Sequence, residues 1–267
     1  MIFSTNTKFA LFLFSSLFLQ ACSQSQMEDE FNYDDRTGKG PSSWGTLKPE
    51  WRTCSVGQRQ SPINIRTVQV SSQLRDLQRN YRLAKADLLN TTVNVEVNFI
   101  GDAGSISING TVYRVQNIHW HSPSEHTFDG VRFPLEVHIV HRSDQNTRAV
   151  VSMLYRIGQP DLFLATISPS LSLLRQTERP LGLVNPEQVG FQGSSYYRYD
   201  GSITVPPCTE NVVWTVYLKI NQASENQIRR LRNVLPPQNR NNSRPTQPLN
   251  NRDVLFRPGG ESSIDNI

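Results

Sequence analysis

All five histidines of this 267-residue chain fall between Asn117 and Arg142. Neutral imidazole is the commonest metal ligand among side chains, and its pKa lies close to physiological pH. In Asn117-Ile118-His119-Trp120-His121 two imidazoles stand two residues apart. In a β-strand that spacing puts both on one face. Asp129-Gly130 is a strong hairpin-turn signal. After it Leu135 to His141 alternates again, with Glu136, His138 and Val140 on one face and Leu135, Val137 and Ile139 on the other. If the two strands pair, His119, His121 and His138 converge on one point. Three neutral nitrogens with a fourth position open make a catalytic zinc site, whereas a closed structural site has four protein ligands. Glu136 can accept the free N–H of His138, and Asn117 that of His119. His126 and His141 read as hydrogen-bonded core residues.

Strands and short loops must hold these groups. Thr92 to Phe99 alternates strictly, Val93, Val95, Val97 and Phe99 against Asn94, Glu96 and Asn98, which predicts a half-buried strand. Ser105 to Val115 alternates around Asn109-Gly110, a second hairpin signal. Ala149 to Ile157 and Asn211 to Ile220 are further strands, the second with Val212, Trp214, Val216 and Leu218 on one face. Helices are few. Ser224-x-x-Gln227 is a capping-box pattern before Ile228, Leu231 and Leu235 at helical spacing. A second short helix is expected over 171–178. Residues 24–43 read as an irregular arm, and 236–258 as an ordered loop wrapping the surface. No internal repeat is present. A mostly β single domain follows, of a size that all-β units commonly reach.

The net charge of +4 is small for the length, and the arginines are spread along the chain. Nucleic-acid binding is not indicated. Lys8 precedes an apolar run, Phe9 to Leu19, with small residues at Ala21 and Ser23. That pattern is a secretory signal peptide over 1–23, too short for a comfortable membrane span, and leaves 24–267 as the mature domain. No other apolar run is long enough to span, so no membrane partner is expected after its removal.

The stretch His119-Trp120-His121-Ser122-Pro123-Ser124-Glu125-His126, followed by Glu136-Val137-His138, resembles the metal-binding core of the α-class carbonic anhydrases, in particular the plant members. Four more segments resemble that family in the same order. They are Gly40-Pro41-Ser42-Ser43-Trp44, Gln60-Ser61-Pro62-Ile63-Asn64-Ile65, Tyr199 to Glu210, and Asn242-Ser243-Arg244-Pro245-Thr246-Gln247-Pro248-Leu249. Short motifs are weak singly, but five in order are specific. The resemblance runs from about residue 31 to 256. Trp44 to Trp51 also resembles the dioscorin-like tuber storage relatives. A rival view of the leader, Leu19-Gln20-Ala21-Cys22 as a bacterial lipoprotein box, fits poorly with this plant-like body.

The resemblance implies a large twisted, mainly antiparallel sheet of about ten strands with short peripheral helices. It implies a Zn²⁺ cofactor on His119, His121 and His138, with carbon dioxide and bicarbonate as the small-molecule substrate. A dication with one open position lowers the pKa of water from 15.7 to about 7, a magnitude that belongs to carbonic anhydrase itself and comes to this chain only through the resemblance. By resemblance Thr204 accepts the hydroxide proton and donates its own to Glu125. Val140, Val150, Ile203, Val212 and Trp214 match the apolar wall where carbon dioxide rests, and Thr204 and Val205 border the substrate. Tyr33 and Tyr199 match a buried hydrogen-bond network. Cis bonds are implied at Ser61-Pro62 and Pro206-Pro207. Removing the signal leaves Cys54 and Cys208, which in an oxidising compartment read as a disulfide, the alternative being two buried thiols. In extracellular relatives these positions are bonded. Such relatives are monomers or homodimers and reach the cell exterior (the apoplast) or the chloroplast through the secretory route.

Two departures stand out. Thr91 falls where the family's proton-shuttle histidine belongs, and threonine cannot carry a proton near pH 7. Val205 replaces a threonine that would touch bicarbonate. Phe128, where an aliphatic residue is usual, is harmless. Asn90, Asn109 and Asn241 open N-glycosylation sequons. Two functions are therefore in view: zinc-dependent hydration of carbon dioxide, and a catalytically weak or inactive storage or binding protein on the same fold. Relatives of the second kind typically lose a ligand. This chain keeps all three, with Glu125, Glu136 and Thr204.

Overall fold

The computed structural model of the chain describes residues 30–259 apart from Thr67 and 175–177. The expected signal peptide, 1–23, lies outside the described residues. The alternating stretches become strands β1 (Ala84–Asn90), β2 (Val95–Ile100), β3 (Gly104–Ile108), β4 (Thr111–His121), β5 (Leu135–Arg142), β6 (Arg148–Ile157), β7 (Tyr196–Ser202) and β8 (Glu210–Tyr217). They form the body of a mixed 13-stranded sheet, in the order Arg179–Val184, β1, β2, β4, β5, β6, β8, β7, Leu255–Arg257, Gln69–Val70. The count exceeds the expected ten or so because short edge pieces such as Gln69–Val70 and Asn221–Ala223 join the ladder. β6 and β8 pair in parallel. Parallel neighbours need a long crossover, and the segment between them supplies it.

Asn109-Gly110 joins β3 to β4 as expected, with φ of 50° and 79°. Both central residues of such a turn need positive φ, which glycine and asparagine tolerate best. Asp129-Gly130 turns a different hairpin from the one expected. It joins Thr127–Phe128 to Val131–Arg132 in a separate 3-stranded sheet with Asn64–Ile65. β4 and β5 pair nonetheless, through a longer connection that leaves the main sheet and returns.

The period of two sorts side chains onto two unlike faces. Ile118, Trp120, Val137, Ile139, Val151 and Met153 enter the larger core, which the helices Leu162–Leu171 and Glu225–Val234 cover with Phe163, Ile167, Ile228 and Leu231. The opposite face carries His119, His121, Glu136 and His138, beside a smaller cluster around Val150, Leu154, Val212 and Trp214. A one-residue slip of β4 would push imidazoles into the larger core and turn Ile118 and Trp120 outward. Burying a side chain of that size contributes about 1.5–3 kcal/mol, so the register is strongly specified.

The helix expected over 171–178 lies one stretch earlier, at Leu162–Leu171, and residues 175–177 are outside the described set. Asp161 caps it by accepting the Leu164 N–H at 2.7 Å. The capping box at Ser224 and Gln227 forms as expected. Gln227 also ties the two helix starts together, accepting from Asp161 N at 2.9 Å and donating to Asp161 O at 2.7 Å. The segment after Pro236 is more than a surface wrap: it buries its own Asn242 and Arg244 side chains. Among the described residues no helix is long and apolar enough to cross a membrane.

Cys54 and Cys208 are bonded, with Cα atoms 5.0 Å apart and a sequence separation of 154. They pack with Trp44, Trp51, Phe31, Tyr33 and Leu47 in a third cluster. Ser61-Pro62 and Pro206-Pro207 are cis, and so is Ser122-Pro123. Closing so long a loop restricts the unfolded chain. The Cys54→Ser/Cys208→Ser variant is expected to lose about 2–5 kcal/mol of stability in urea titration. An unchanged midpoint would mean that the bond does not restrain the unfolded chain.

Candidate metal centre

β4 and β5 place His138 opposite His119 and Glu136 opposite His121. Ring centroids lie 5.1 Å apart for His119–His121, 5.2 Å for His119–His138 and 4.6 Å for His121–His138. One ring nitrogen from each falls within 4.8 Å of the others. The remaining nitrogens are all taken. His119 Nδ1 donates to Asn117 Oδ1 at 2.9 Å, His121 Nδ1 to the Asn242 carbonyl at 2.6 Å, and His138 Nε2 to Glu136 Oε1 at 2.7 Å. Asn117 and Glu136 thus take the places expected of them. Each outer partner is an acceptor, so each outer nitrogen carries the proton and each inner nitrogen keeps its lone pair.

Burial pushes all three imidazoles below their ordinary pKa, His121 to about 4, so they are neutral at pH 7. Burial would raise Glu136, yet His126 and His138 hold its carboxyl well below the usual carboxylate range. Glu136 accepts the backbone N–H of Glu125 at 2.7 Å and of His126 at 2.8 Å on Oε2. On Oε1 it accepts from His126 Nδ1 at 2.6 Å and Ser152 Oγ at 2.5 Å, besides His138. A second cluster, His126, Glu136 and His138, is thereby closed by its own hydrogen bonds. His126 Nε2 accepts from Tyr199 Oη at 2.7 Å, and that hydroxyl meets Ser61 Oγ at 2.8 Å. His141 is a satisfied core residue, between Tyr81 Oη at 2.9 Å and the Ala149 carbonyl at 3.2 Å.

His121 Nε2 and Glu125 Oε2 are buried without a hydrogen bond, 3.5 Å from each other. The three inward lone pairs, with no fourth side chain grouped with them among the described residues, form a donor set that a dication would satisfy with one position left open. Half-buried His119 marks the side open to solvent, since His121 and His138 are fully enclosed. Glu125 Oε1 accepts the Arg244 N–H at 2.9 Å. Burial pushes the Glu125 pKa up to about 7, against the pull of His138. Thr204 is buried and sits close enough to lower that pKa, without a hydrogen bond of normal geometry to Oε2.

Val150, Val212 and Trp214 are buried in the cluster on this face, with Val140 and Ile203 packed against it. The Trp214 ring lies 4.9 Å from that of His138. Val205 is half-buried. The Tyr33 hydroxyl is buried without a hydrogen bond, and burial followed by Glu125 raises its pKa. The Thr91 hydroxyl is spent in a turn, donating to Asn94 Oδ1 at 2.8 Å and accepting the Asn94 N–H at 3.1 Å. Of the sequons, Asn109 is exposed at a hairpin tip, Asn241 is exposed with Oδ1 accepting from Arg232, and the Asn90 amide donates inward to the Val234 carbonyl.

Sequence reasoning missed Asn242, Ser152 and Glu96. Glu96 stands opposite His119 on β2, and burial pushes its pKa up to about 7. Arg244 was missed as a joint: it donates to Gln60 Oε1 and to the Ser61 and Cys54 carbonyls at 2.8–2.9 Å. The signal for it was present, because the motifs around Gln60 and Arg244 are the two halves of this contact.

Three neutral imidazoles on the central strands of a large mixed sheet are what the carbonic anhydrases are built around. The chain matches the family model for eukaryotic-type carbonic anhydrase over residues 39–258, and it belongs to that family. Within it, the chain is similar to dioscorin DB3L of Dioscorea polystachya, 42% identical over 99% of this chain and 100% of that protein. It is similar also to alpha carbonic anhydrase 7 of Arabidopsis thaliana, 41% identical over 94% of each. Among solved structures, dioscorin complexed with ascorbate superposes with a TM-score of 0.85 at 44% identity, over 88% of this chain and 100% of that one. A hyperthermostable carbonic anhydrase from a hydrothermal vent chimney gives 0.78 at 28% identity, over 85% and 100%.

Proposed function

We propose that the protein is a zinc-dependent enzyme that reversibly hydrates carbon dioxide to bicarbonate and a proton. The observation that carries this reading is the inward convergence of three unprotonated ring nitrogens whose outer N–H groups are all held. His119, His121 and His138 would hold the zinc. Bound there, the metal supplies a strong nucleophile from water at neutral pH. The residues do the rest. Asn117, the Asn242 carbonyl and Glu136 fix ring orientation and tautomer. Thr204 accepts a hydrogen bond from the attacking oxygen and donates to Glu125, which leaves a lone pair facing the carbon. Val140, Val150, Ile203, Val212 and Trp214 give the apolar substrate a dry surface, and Val205 makes no hydrogen bond to the product. Residues 1–23 would direct the chain into the secretory route, where the disulfide forms. The test is stopped-flow hydration by the purified protein.

Similarity to dioscorins favours a second reading, a storage or binding protein on the same fold. A protein that holds zinc yet hydrates no faster than buffer would establish it.

Every turnover must export a proton. No histidine is left for this: three converge at the site, and His126 and His141 are bonded on both ring nitrogens. kcat is therefore expected to rise with the concentration of imidazole-type buffer, while kcat/KM, which reports the attack step, stays level. Thr91→His should raise kcat in dilute buffer. The Asn90-x-Thr92 sequon survives that change, so loss of a glycan does not confound the comparison. A wild-type kcat that is high and flat across the buffer series would show that another group carries the proton.

A further inference from the structure

Arg198 lies on the sheet face opposite Tyr199 and is 9% exposed. Its Nε donates to Thr215 Oγ1 at 3.0 Å, and its guanidinium stands 5.0 Å from the Tyr196 ring centre. Among the described residues neither terminal nitrogen donates a hydrogen bond, and no carboxylate lies within ion-pair distance. A cation so buried is ordinarily paired. Arg198 opens instead into a cleft of about 660 Å³. Tyr113, 7% exposed, lines the same cleft with a hydroxyl that has no hydrogen bond among the described residues, and it lies near enough to act on the Arg198 charge. Two donors on largely buried side chains, their tips reached by solvent, therefore line one space. The walls add hydroxyl and amide groups from Ser71, Gln73, Asn109 and Thr111. Asp200 and Asp253 line the cleft too, but both are exposed, and Arg59 and Arg252 offset them.

We infer that this cleft is a binding site for a small hydroxylated carboxylate, such as a sugar acid. Its carboxylate accepts from Arg198 and Tyr113, and its hydroxyls meet the polar wall. Planar guanidinium suits carboxylate geometry. The site is separate from the three histidines and does not depend on their function.

The probe is D-glucuronate, titrated into zinc-loaded protein while the Arg198 Nε–Hε resonance is followed by NMR. A saturable shift of that resonance with one site per chain is expected, and glucose should give none. Arg198→Met should weaken binding by about 10-fold or more, the scale of a lost charged hydrogen bond. Tyr113→Phe should weaken it less, and both variants should hydrate carbon dioxide like the wild type. No saturable shift would overturn the proposal. So would wild-type affinity in Arg198→Met, which would put the anion elsewhere. Should Arg198→Met fail to fold, the wild-type resonance and Tyr113→Phe decide.

Discussion

Replacing His138 by alanine is expected to strip the protein of zinc and to lower carbon dioxide hydration by about 10³-fold or more, the scale of losing several kcal/mol of transition-state stabilisation. The effect is large for two reasons. One of three donors disappears, and two nitrogens do not hold a dication in a four-coordinate frame. Glu136, fully buried, also loses a hydrogen-bond donor, so the carboxylate that orients the site is less well satisfied. Changing an outer partner is milder. Asn117→Ala should weaken zinc binding by about 10–100-fold, because the His119 ring stays but its orientation loosens. His141→Gln is the control. His141 is as buried as the trio but faces Tyr81 and the Ala149 carbonyl, so the change should cost stability and leave zinc content intact. A His138→Ala protein that kept full zinc would refute the ligand assignment.

Thr204→Ala should keep its zinc and lose about 10²-fold in hydration rate, the scale for removing one positioned catalytic group. No hydrogen bond joins Thr204 to the three ring nitrogens; the proposed relay runs to Glu125, which the Arg244 N–H holds at 2.9 Å. Without the hydroxyl, the attacking oxygen is free to turn its hydrogen toward the substrate. Thr204→Ser keeps the hydroxyl and should recover most of the rate. Equal losses in Ala and Ser variants would point to packing, and an unchanged rate in Thr204→Ala would mean that the relay does not operate.

Much of the site was legible because a strand writes its faces into sequence. His119, His121, Glu136 and His138 follow the period of two, and pairing β4 with β5 is enough to bring them together. The contacts that could not be read come from distant segments. Asn242 reaches His121 from far along the chain, and Ser152 faces Glu136 only through the β5–β6 register. No local period encodes either. The Asp129-Gly130 signal was correct as a turn and misassigned to its strands, because turn chemistry fixes the bend and not the sheet it serves. The helix Leu162–Leu171 carried its signal too, with Asp161 at the cap and Phe163, Leu164, Ile167 and Leu171 buried along one stripe. Pro169 masked it. Proline usually breaks a helix interior, but here it sits in the last turn, where little is left to break. At Thr91 the sequence shows only a side chain that does not titrate near pH 7, and the structure adds what its hydroxyl does: it closes the turn with Asn94.

The most direct test of the central claim is a zinc titration read two ways on the same samples. Metal-free protein, prepared with a chelator, is given zinc in steps, and bound metal and carbon dioxide hydration rate are measured at each step. The rate should rise in proportion to bound zinc and level off at one zinc per chain. Full zinc binding with hydration no faster than buffer, or hydration that survives chelation, would contradict it.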